Sequence, residues 1–266
     1  MIGIHIDSSK HNIINAFTEA KNNGANLVQF FVSKQSNIYD NIAEKLRELN
    51  MNCVIHASYT INLSKNWDEN SYWIRQFIGE IKIAEKIGAK YIVVHLGKQL
   101  DLSRAESINN LYTSLVYICG KITKYKIKIL IETSTGQGTE IGYELEELAI
   151  IYNKFSSHPN KNISDRIKIC LDTCHIYAAG YDITDSKIFK TFFTNFDNLI
   201  GIKNIKLIHL NDCKSKLNSH TDRHANFGKG NIGINIIKKI KKKLSKIPII
   251  IETGFPLIYD DIKLIN

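Results

Sequence analysis

The sequence predicts a (β/α)8 barrel, an α/β fold in which eight parallel strands close on themselves inside a ring of helices. Short runs rich in Ile and Val alternate with segments of helical spacing, and eight such runs fit within 266 residues. The runs are apolar on both faces, which is typical of parallel strands covered by helices. Eight units in a chain of this length favour a closed barrel over an open sheet.

The predicted elements follow one another in strict alternation. After the third strand, Phe77, Ile81 and Ala84 fall on one helical face, and Gly88 is positioned to cap that helix. Pro248 opens the last strand, where a missing N–H is tolerated, and the unit that follows is short. In chain order, the predicted strands are 2–6, 26–32, 52–56, 90–96, 127–133, 167–172, 205–210 and 248–253.

Composition and charge narrow the class of protein. With 44% hydrophobic and 23% charged residues, the chain has the composition of an ordinary globular protein. No linker or change of composition divides it, so we expect one domain over residues 1–266. The net charge of +9 favours a polyanionic partner such as nucleic acid, although a composition rich in Ile, Asn and Lys can by itself raise the charge.

The expected compartment is intracellular and reducing. No apolar run approaches the roughly 18 residues of a membrane span, and the first residues lack the pattern of a secretory signal. The five cysteines are odd in number and form no CxxC motif. Cys170 and Cys174 are close in sequence; we expect separate core thiols, with a bridge between them as the alternative. Cytoplasm, nucleus and viral factory are not distinguished.

Six consecutive predicted strands carry a side chain of the metal-ligand type at their carboxyl ends. In a closed barrel all these ends face one mouth, so the side chains are expected to converge. Asp222 and His224, two apart in an extended loop, project to the same side and add to the set, as does His175 after the sixth strand. The six strand-end residues are His56, His95, Glu132, Asp172, His209 and Glu252.

This set predicts a site for several cations. Taken singly, a His or Asp at a strand end is more often a hydrogen-bonded core residue or a helix cap. Taken together, four carboxylates would repel one another without cations, so the joint interpretation is favoured. Imidazole and carboxylate ligands suit zinc, or manganese where carboxylates dominate. His5 and Asp7, which end the first strand, are candidates for lining the same pocket.

Seven motifs, in order along nearly the whole chain, resemble the endonuclease IV family of apurinic/apyrimidinic endonucleases. The resemblance implies a trinuclear zinc centre in the xylose isomerase-like barrel, acting on double-stranded DNA as a monomer. It implies cleavage 5′ to abasic sites, which leaves a 3′-hydroxyl and a 5′-deoxyribose phosphate, and removal of 3′ blocking groups. The motifs are IHASYTINL (55–63), VVHLG (93–97), IETSTGQG (131–138), CLDTCHIYAAGYD (170–182), HLNDCK (209–214), DRHANFGKGNIG (222–233) and IIIET (249–253).

The resemblance also implies how the ligands are shared. Glu132 would bridge two ions beside the attacking hydroxide, which makes it the catalytic candidate. The implied groups are His56, His95 and Glu132 for one zinc, Glu132, Asp172, His209 and Glu252 for a second, and His175, Asp222 and His224 for the third.

The expected DNA contacts depart from the family pattern. Tyr59 matches a tyrosine that family members insert into the duplex, but Thr60 stands where leucine is usual, and Ser36 stands near the arginine position. Lys34 is a candidate substitute cation, although it lacks the planar guanidinium. Three further lysines in loops at the mouth are candidates for phosphate contacts, namely Lys98, Lys214 and Lys229.

Two other functions remain open on the sequence. A sugar isomerase or epimerase of the xylose isomerase-like group would bind one divalent metal through Glu132, Asp172, His209 and Glu252, and would leave the other five ligand-type residues unexplained. A DNA-binding module without catalysis would need no convergent ligands.

Overall fold

Within residues 1–7, 12–32 and 38–265, which the computed structural model describes, eight parallel strands close into a barrel. Around the barrel the strand order is β1, β2, β3, β4, β5, β6, β7 and β10, and β10 pairs with β1. The predicted (β/α)8 fold is therefore confirmed. The barrel strands are β1 (Ile2–Ile6), β2 (Leu27–Phe31), β3 (Asn52–His56), β4 (Tyr91–His95), β5 (Lys128–Glu132), β6 (Ile167–Asp172), β7 (Ile205–His209) and β10 (Ile249–Ile251).

Helices surround the barrel and bury one face each. In α1 the side chain of Asn12 accepts hydrogen bonds from Ile14 and Asn15, and in α4 Ser103 and Glu106 form a capping box. As predicted, Gly88 ends α3 in the left-handed conformation, with φ of 90°. The helices are α1 (Ile13–Asn22), α2 (Ile38–Glu48), α3 (Tyr72–Ile87), α4 (Arg104–Lys121), α5 (Leu145–Ser156), α6 (Lys161–Ser164), α7 (Thr173–Ala178), α8 (Ser186–Leu199), α9 (Ile234–Lys243) and α10 (Ile258–Ile265).

The barrel interior has an apolar floor below the mouth. Successive residues of a strand point alternately inward and outward, so Leu130 fills the interior and Glu132, two residues later, reaches the mouth. The parallel register aligns these ends, since His95 pairs with Glu132 and Asp172 with His209. The floor consists of Leu27, Val54, Val93, Leu130, Cys170, Leu207 and Ile250, all buried.

Two details differ from the sequence prediction. The last barrel strand ends at Ile251 and begins after Pro248, so Glu252 lies in the loop just beyond the strand. A short antiparallel hairpin follows β7, formed by β8 (Asp212–Cys213) and β9 (His224–Ala225). Two-residue strands leave no periodic pattern, so the sequence predicted only a loop there. No helix in the described ranges is both long enough and apolar enough to cross a membrane.

Candidate metal centre

Glu132 lies at the centre of the mouth, where its carboxylate faces four imidazoles. Oε2 lies 3.3 Å from His56 Nε2 and 3.6 Å from His95 Nδ1. Oε1 lies 2.7 Å from His209 Nδ1 and 3.7 Å from His175 Nδ1. The two oxygens therefore face different histidines, and a carboxylate shared between two cations would present one oxygen to each of them.

Eight of the nine predicted residues form three adjoining groups. The possible ligand atoms of His56, His95 and Glu132 lie within 4.8 Å of one another. The same limit holds for a second group and for a third. The third contains two of the ligands expected for the third ion and, in addition, Asp172, which was expected to bind the second. The second group is Glu132, Asp172, His209 and Glu252, and the third is Asp172, His175 and His224.

Asp222 completes the third group from a loop. Its Oδ2 lies 3.2 Å from His175 Nε2, and its Oδ1 lies 3.1 Å from His224 Nε2. Among the described residues, the buried atoms His175 Nε2 and Asp222 Oδ1 make no hydrogen bond of good geometry. Because His175 Nδ1 donates to the Thr133 carbonyl, Nε2 of the neutral ring offers a lone pair, as does the Asp222 oxygen, and two buried lone pairs without a donor fit a cation.

Backbone carbonyls orient three of the histidines. A carbonyl oxygen only accepts hydrogen bonds, so the ring nitrogen that contacts it carries the proton. In each of these rings Nδ1 donates, which leaves Nε2 turned toward the carboxylates. The bonds run from His56 to Ala57 at 2.8 Å, from His175 to Thr133 at 2.7 Å and from His224 to Glu252 at 3.3 Å.

The ionisation of the cluster follows from burial and mutual attraction. Burial alone raises the pKa of Glu132, but His209 and His95 outweigh it and hold the pKa well below its usual range. For His224, burial lowers the pKa, whereas Asp172 and Asp222 raise it to a net value of about 9. Burial lowers the pKa of His95 to about 4, whereas nearby carboxylates outweigh burial at His175 and His209 and raise their pKa, so only some of the imidazoles are protonated in the absence of a cation.

His5 lies beside this cluster, as the sequence suggested. Its Nδ1 lies 3.6 Å from Glu252 Oε1 and 3.0 Å from the Gln29 amide nitrogen. Burial, reinforced by His56, lowers the pKa of His5 to about 3, so this ring is neutral at physiological pH.

Two positioning residues escaped the sequence analysis. Asn211 is fully buried, and its amide nitrogen donates to Asp172 Oδ2 at 2.7 Å while its Oδ1 accepts from the Glu252 backbone at 2.8 Å. Gln29, also fully buried, contacts His209 and Glu252. Neither has a signal in the sequence alone, because Gln29 on β2 and Asn211 just after β7 acquire these partners only when the barrel closes.

A third missed residue, Asp212, organises the loop that follows β9. Its carboxylate accepts five backbone N–H groups, and the chain wraps around it because Gly230 has no side chain. A Cβ at Gly230 would lie 2.5 Å from Asp212 Oδ1. The three glycines of this loop were a readable sign of such wrapping. The donors are Cys213, Gly228, Gly230, Ile232 and Gly233, at 2.8–3.2 Å.

The candidate DNA contacts lie around the mouth. Tyr59 is 73% exposed, and its ring stacks on His95 with 5.6 Å between centroids. Lys98 lines a cavity of about 440 Å³ together with Tyr59, His175 and Asp222. Lys214 and Lys229 are exposed, and so is Thr60. Lys34 and Ser36 lie outside the described residues.

The cysteines are separate core thiols, as expected, and Cys170 and Cys174 do not form a bridge. All five are buried free thiols, and Cys174 Sγ lies 2.7 Å from Cys213 Sγ on β8. The partner of Cys174 is therefore Cys213 rather than Cys170, which belongs to the barrel floor.

Comparison with known proteins agrees with this geometry. A family model described as the xylose isomerase-like TIM barrel matches residues 17–261. The probable endonuclease 4 of Mycoplasmopsis synoviae is 36% identical over an alignment of 270 positions that covers 96% of this chain and 92% of that protein. Endonuclease IV from Thermus thermophilus superposes with a TM-score of 0.79 at 24% identity, covering 99% of this chain and 97% of the other. A D-tagatose 3-epimerase-like protein superposes with a TM-score of 0.75 at 20% identity, covering 98% and 94%.

The closed barrel, with ligand-type side chains at its carboxyl mouth, is an enzyme of the xylose isomerase-like TIM barrel class. Within that class the chain belongs to the endonuclease IV family, because it shares more than a third of its residues with a relative along nearly the whole of both chains. The resemblance inferred from the seven motifs is thus confirmed.

Proposed function

We propose that this chain is a zinc-dependent endonuclease of base excision repair that cleaves DNA on the 5′ side of abasic sites. The products are a 3′-hydroxyl and a 5′-deoxyribose phosphate, and 3′ blocking groups are further substrates. The enzyme acts on double-stranded DNA as a monomer. The observation that carries the proposal is the convergence of five imidazoles and four carboxylates at one mouth.

The donor set fits three zinc ions, with manganese as an alternative where carboxylates dominate. The unpartnered His175 Nε2 and Asp222 Oδ1 support a cation between them. Zinc bound here would lower the pKa of a water molecule to about 7 and would polarise a phosphoryl oxygen. The proposed ligands are His56, His95 and Glu132, then Glu132, Asp172, His209 and Glu252, then His175, Asp222 and His224.

The chain's own contribution is to hold these ligands in place before substrate arrives. Glu132 turns Oε2 toward His56 and Oε1 toward His209, so it would be the ligand shared by two ions on this proposal. Asn211 holds Asp172 and the Glu252 backbone together. Because the ligands already have their orientation, little reorganisation is required when a phosphodiester enters.

Substrate recognition is assigned to the rim. Tyr59, with its exposed ring, would stack against bases in the duplex. It would contribute more to opening the base stack than Thr60, whose small polar side chain is poorly suited to insert between bases. Lys98, Lys214 and Lys229 would contact phosphates. Lys34 remains a candidate for the same role on the sequence alone.

A single-metal sugar epimerase is the alternative that the fold permits. Glu132, Asp172, His209 and Glu252 would serve it, and the barrel of a D-tagatose 3-epimerase-like protein is similar. That function gives no role to the unpartnered His175 Nε2 and Asp222 Oδ1. The endonuclease accounts for both atoms and for the sequence relationship.

Incision of a duplex with a stable abasic analogue tests the proposal. The wild-type protein is expected to cut the damaged strand and leave an end that a DNA polymerase extends, while an undamaged duplex stays intact. Glu132→Gln is expected to abolish cutting, since it removes the bridging charge. Glu44→Gln, an exposed carboxyl on α2, is the matched control and should cut at the wild-type rate. Equal rates for wild type and Glu132→Gln would refute the mechanism.

A further inference from the structure

Gln29 contacts the candidate metal centre from β2, a strand that supplies none of the proposed ligands. Its side chain is fully buried and contacts three groups at once. Its amide nitrogen lies 2.7 Å from Glu252 Oε1 and 3.0 Å from His5 Nδ1, and its amide oxygen lies 2.9 Å from His209 Nε2.

The neighbours determine which way this amide faces. A carboxylate oxygen accepts hydrogen bonds and does not donate them, so the NH₂ end of Gln29 must be the end that faces Glu252. The carbonyl end then faces His209. Because an amide oxygen only accepts, His209 Nε2 must carry a proton to complete that bond.

The consequence is that His209 presents the opposite ring nitrogen from His56, His175 and His224. Nδ1 is the atom left facing the carboxylates, at 2.7 Å from Glu132 Oε1 and 3.1 Å from Glu252 Oε2. His56, His175 and His224 instead donate from Nδ1 to backbone carbonyls. His209 is distinguished from these three by having a side chain as its orienting partner.

We infer that Gln29 is a positioning residue that selects Nδ1 of His209 as the metal-binding nitrogen and fixes the carboxylate of Glu252 beside it. One amide thereby aligns two ligands drawn from β7 and from the loop after β10. This role rests on the proposed function only in that the bound cation is zinc. Mutation of a residue that hydrogen-bonds to a metal ligand typically lowers the affinity for the metal 10- to 100-fold.

Two variants separate the two halves of this role. Gln29→Met removes all three contacts of the amide while keeping the length of the side chain. Gln29→Glu keeps an acceptor for His209 Nε2–H but loses the donor to Glu252 and repels it. The control is Gln76→Met, because Gln76 also donates to a carboxylate, Glu80, at 2.8 Å but lies outside the ligand set.

Two measurements read the result without any assay of activity. Competition with a chromophoric chelator gives zinc affinity, and long-range ¹H–¹⁵N spectra of histidine-labelled, zinc-loaded protein show which nitrogen of His209 keeps its proton. Gln29→Met is expected to lose about tenfold or more in affinity at one zinc position and to lose the single Nε2–H form of His209. Gln29→Glu is expected to lose affinity but keep that form, and the control is expected to match wild type.

A Gln29→Met protein in which His209 keeps only the Nε2 proton would overturn the inference, whatever its affinity. If that variant does not fold, Gln29→Glu decides the matter, since wild-type affinity there would show that the bond to Glu252 is idle. Incision by the wild type reports on the proposed function separately. Protein that binds zinc with the predicted Gln29 dependence but does not cut DNA would contradict the function and leave this inference standing.

Discussion

At the scale of single residues, the cluster exchanges protons for cations. Glu132 keeps a depressed pKa because His209 and His95 outweigh the effect of burial. His224 gains a raised pKa of about 9, with Asp172 and Asp222 outweighing its burial. In the metal-free protein His175, His209 and His224, whose pKa values are raised, carry protons beside the carboxylates, and zinc must displace those protons in order to bind.

The first prediction concerns the pH dependence of stability without metal. His224 binds its proton more tightly in the folded chain than in the unfolded chain, where its pKa is about 6.5. Its contribution is therefore complete below about pH 6.5 and is lost as the pH rises through about 9. The free energy of unfolding of chelator-treated protein, measured by urea titration, should fall over this window. His224→Ala should show a shallower fall, and an identical slope would contradict the assignment.

At the scale of elements, the hairpin β8–β9 and its glycine-rich loop bring Asp222 and His224 to the mouth. Five backbone N–H groups on the Asp212 carboxylate hold this loop. Asp261 on α10 adds a second anchor, since it accepts from Phe227 N at 2.9 Å and Asn226 Nδ2 at 2.8 Å. The position of the third ligand group thus depends on two buried carboxylates that are not themselves ligands.

The second prediction follows from this anchoring. Asp212→Ala should destabilise the protein by about 3 kcal/mol, because several buried N–H groups lose their acceptor. Hydrogen exchange at Gly228 and Ile232 should accelerate, while exchange within β5 should change only as much as global stability does. Asp212→Asn, which keeps one acceptor oxygen, is the matched control. Its stability and its exchange rates should lie between those of the wild type and those of Asp212→Ala. Unchanged exchange in Asp212→Ala would show that the loop is held by other contacts.

The strand ends, the hairpin and the two buried amides differ in how well the sequence predicts them. The strand ends from His56 to His209 were predictable because side-chain alternation and barrel closure leave a strand's last inward residue facing the mouth. The hairpin was not predictable, because its two-residue strands depend on N–H groups that reach Asp212 from about 20 residues away. Gln29 and Asn211 were missed for the same reason, since their partners are distant in the sequence, on other strands or in the loop after β10.

At the scale of the whole molecule, the positive charge of the chain should contribute to its affinity for the proposed DNA substrate. The chain carries a formal net charge of +9, and three of its exposed or partly exposed lysines surround the mouth. Lys246 belongs to the opposite end of the barrel, where it lines a groove with Tyr91 and Pro248 at the starts of β4 and β10. Charge near the mouth should therefore count for more in DNA binding than charge at the far end.

The third prediction is a salt dependence that locates the DNA. Each phosphate contact adds roughly one to the slope of log affinity against log salt concentration. Lys98→Gln, Lys214→Gln and Lys229→Gln should each lower that slope by about one, measured by fluorescence anisotropy on duplex DNA with an abasic analogue. Lys246→Gln, as control, should leave it unchanged. A larger effect from Lys246 than from the mouth lysines would place the DNA elsewhere.

The central claim is that nine side chains close around three zinc ions. Crystals of zinc-loaded protein, measured on both sides of the zinc absorption edge, test it most directly because anomalous difference maps show both the number and the place of the ions. The claim predicts three peaks, each surrounded by one of the proposed ligand groups and with Glu132 between two of them. A single peak among Glu132, Asp172, His209 and Glu252, or no peak at the mouth, would contradict it.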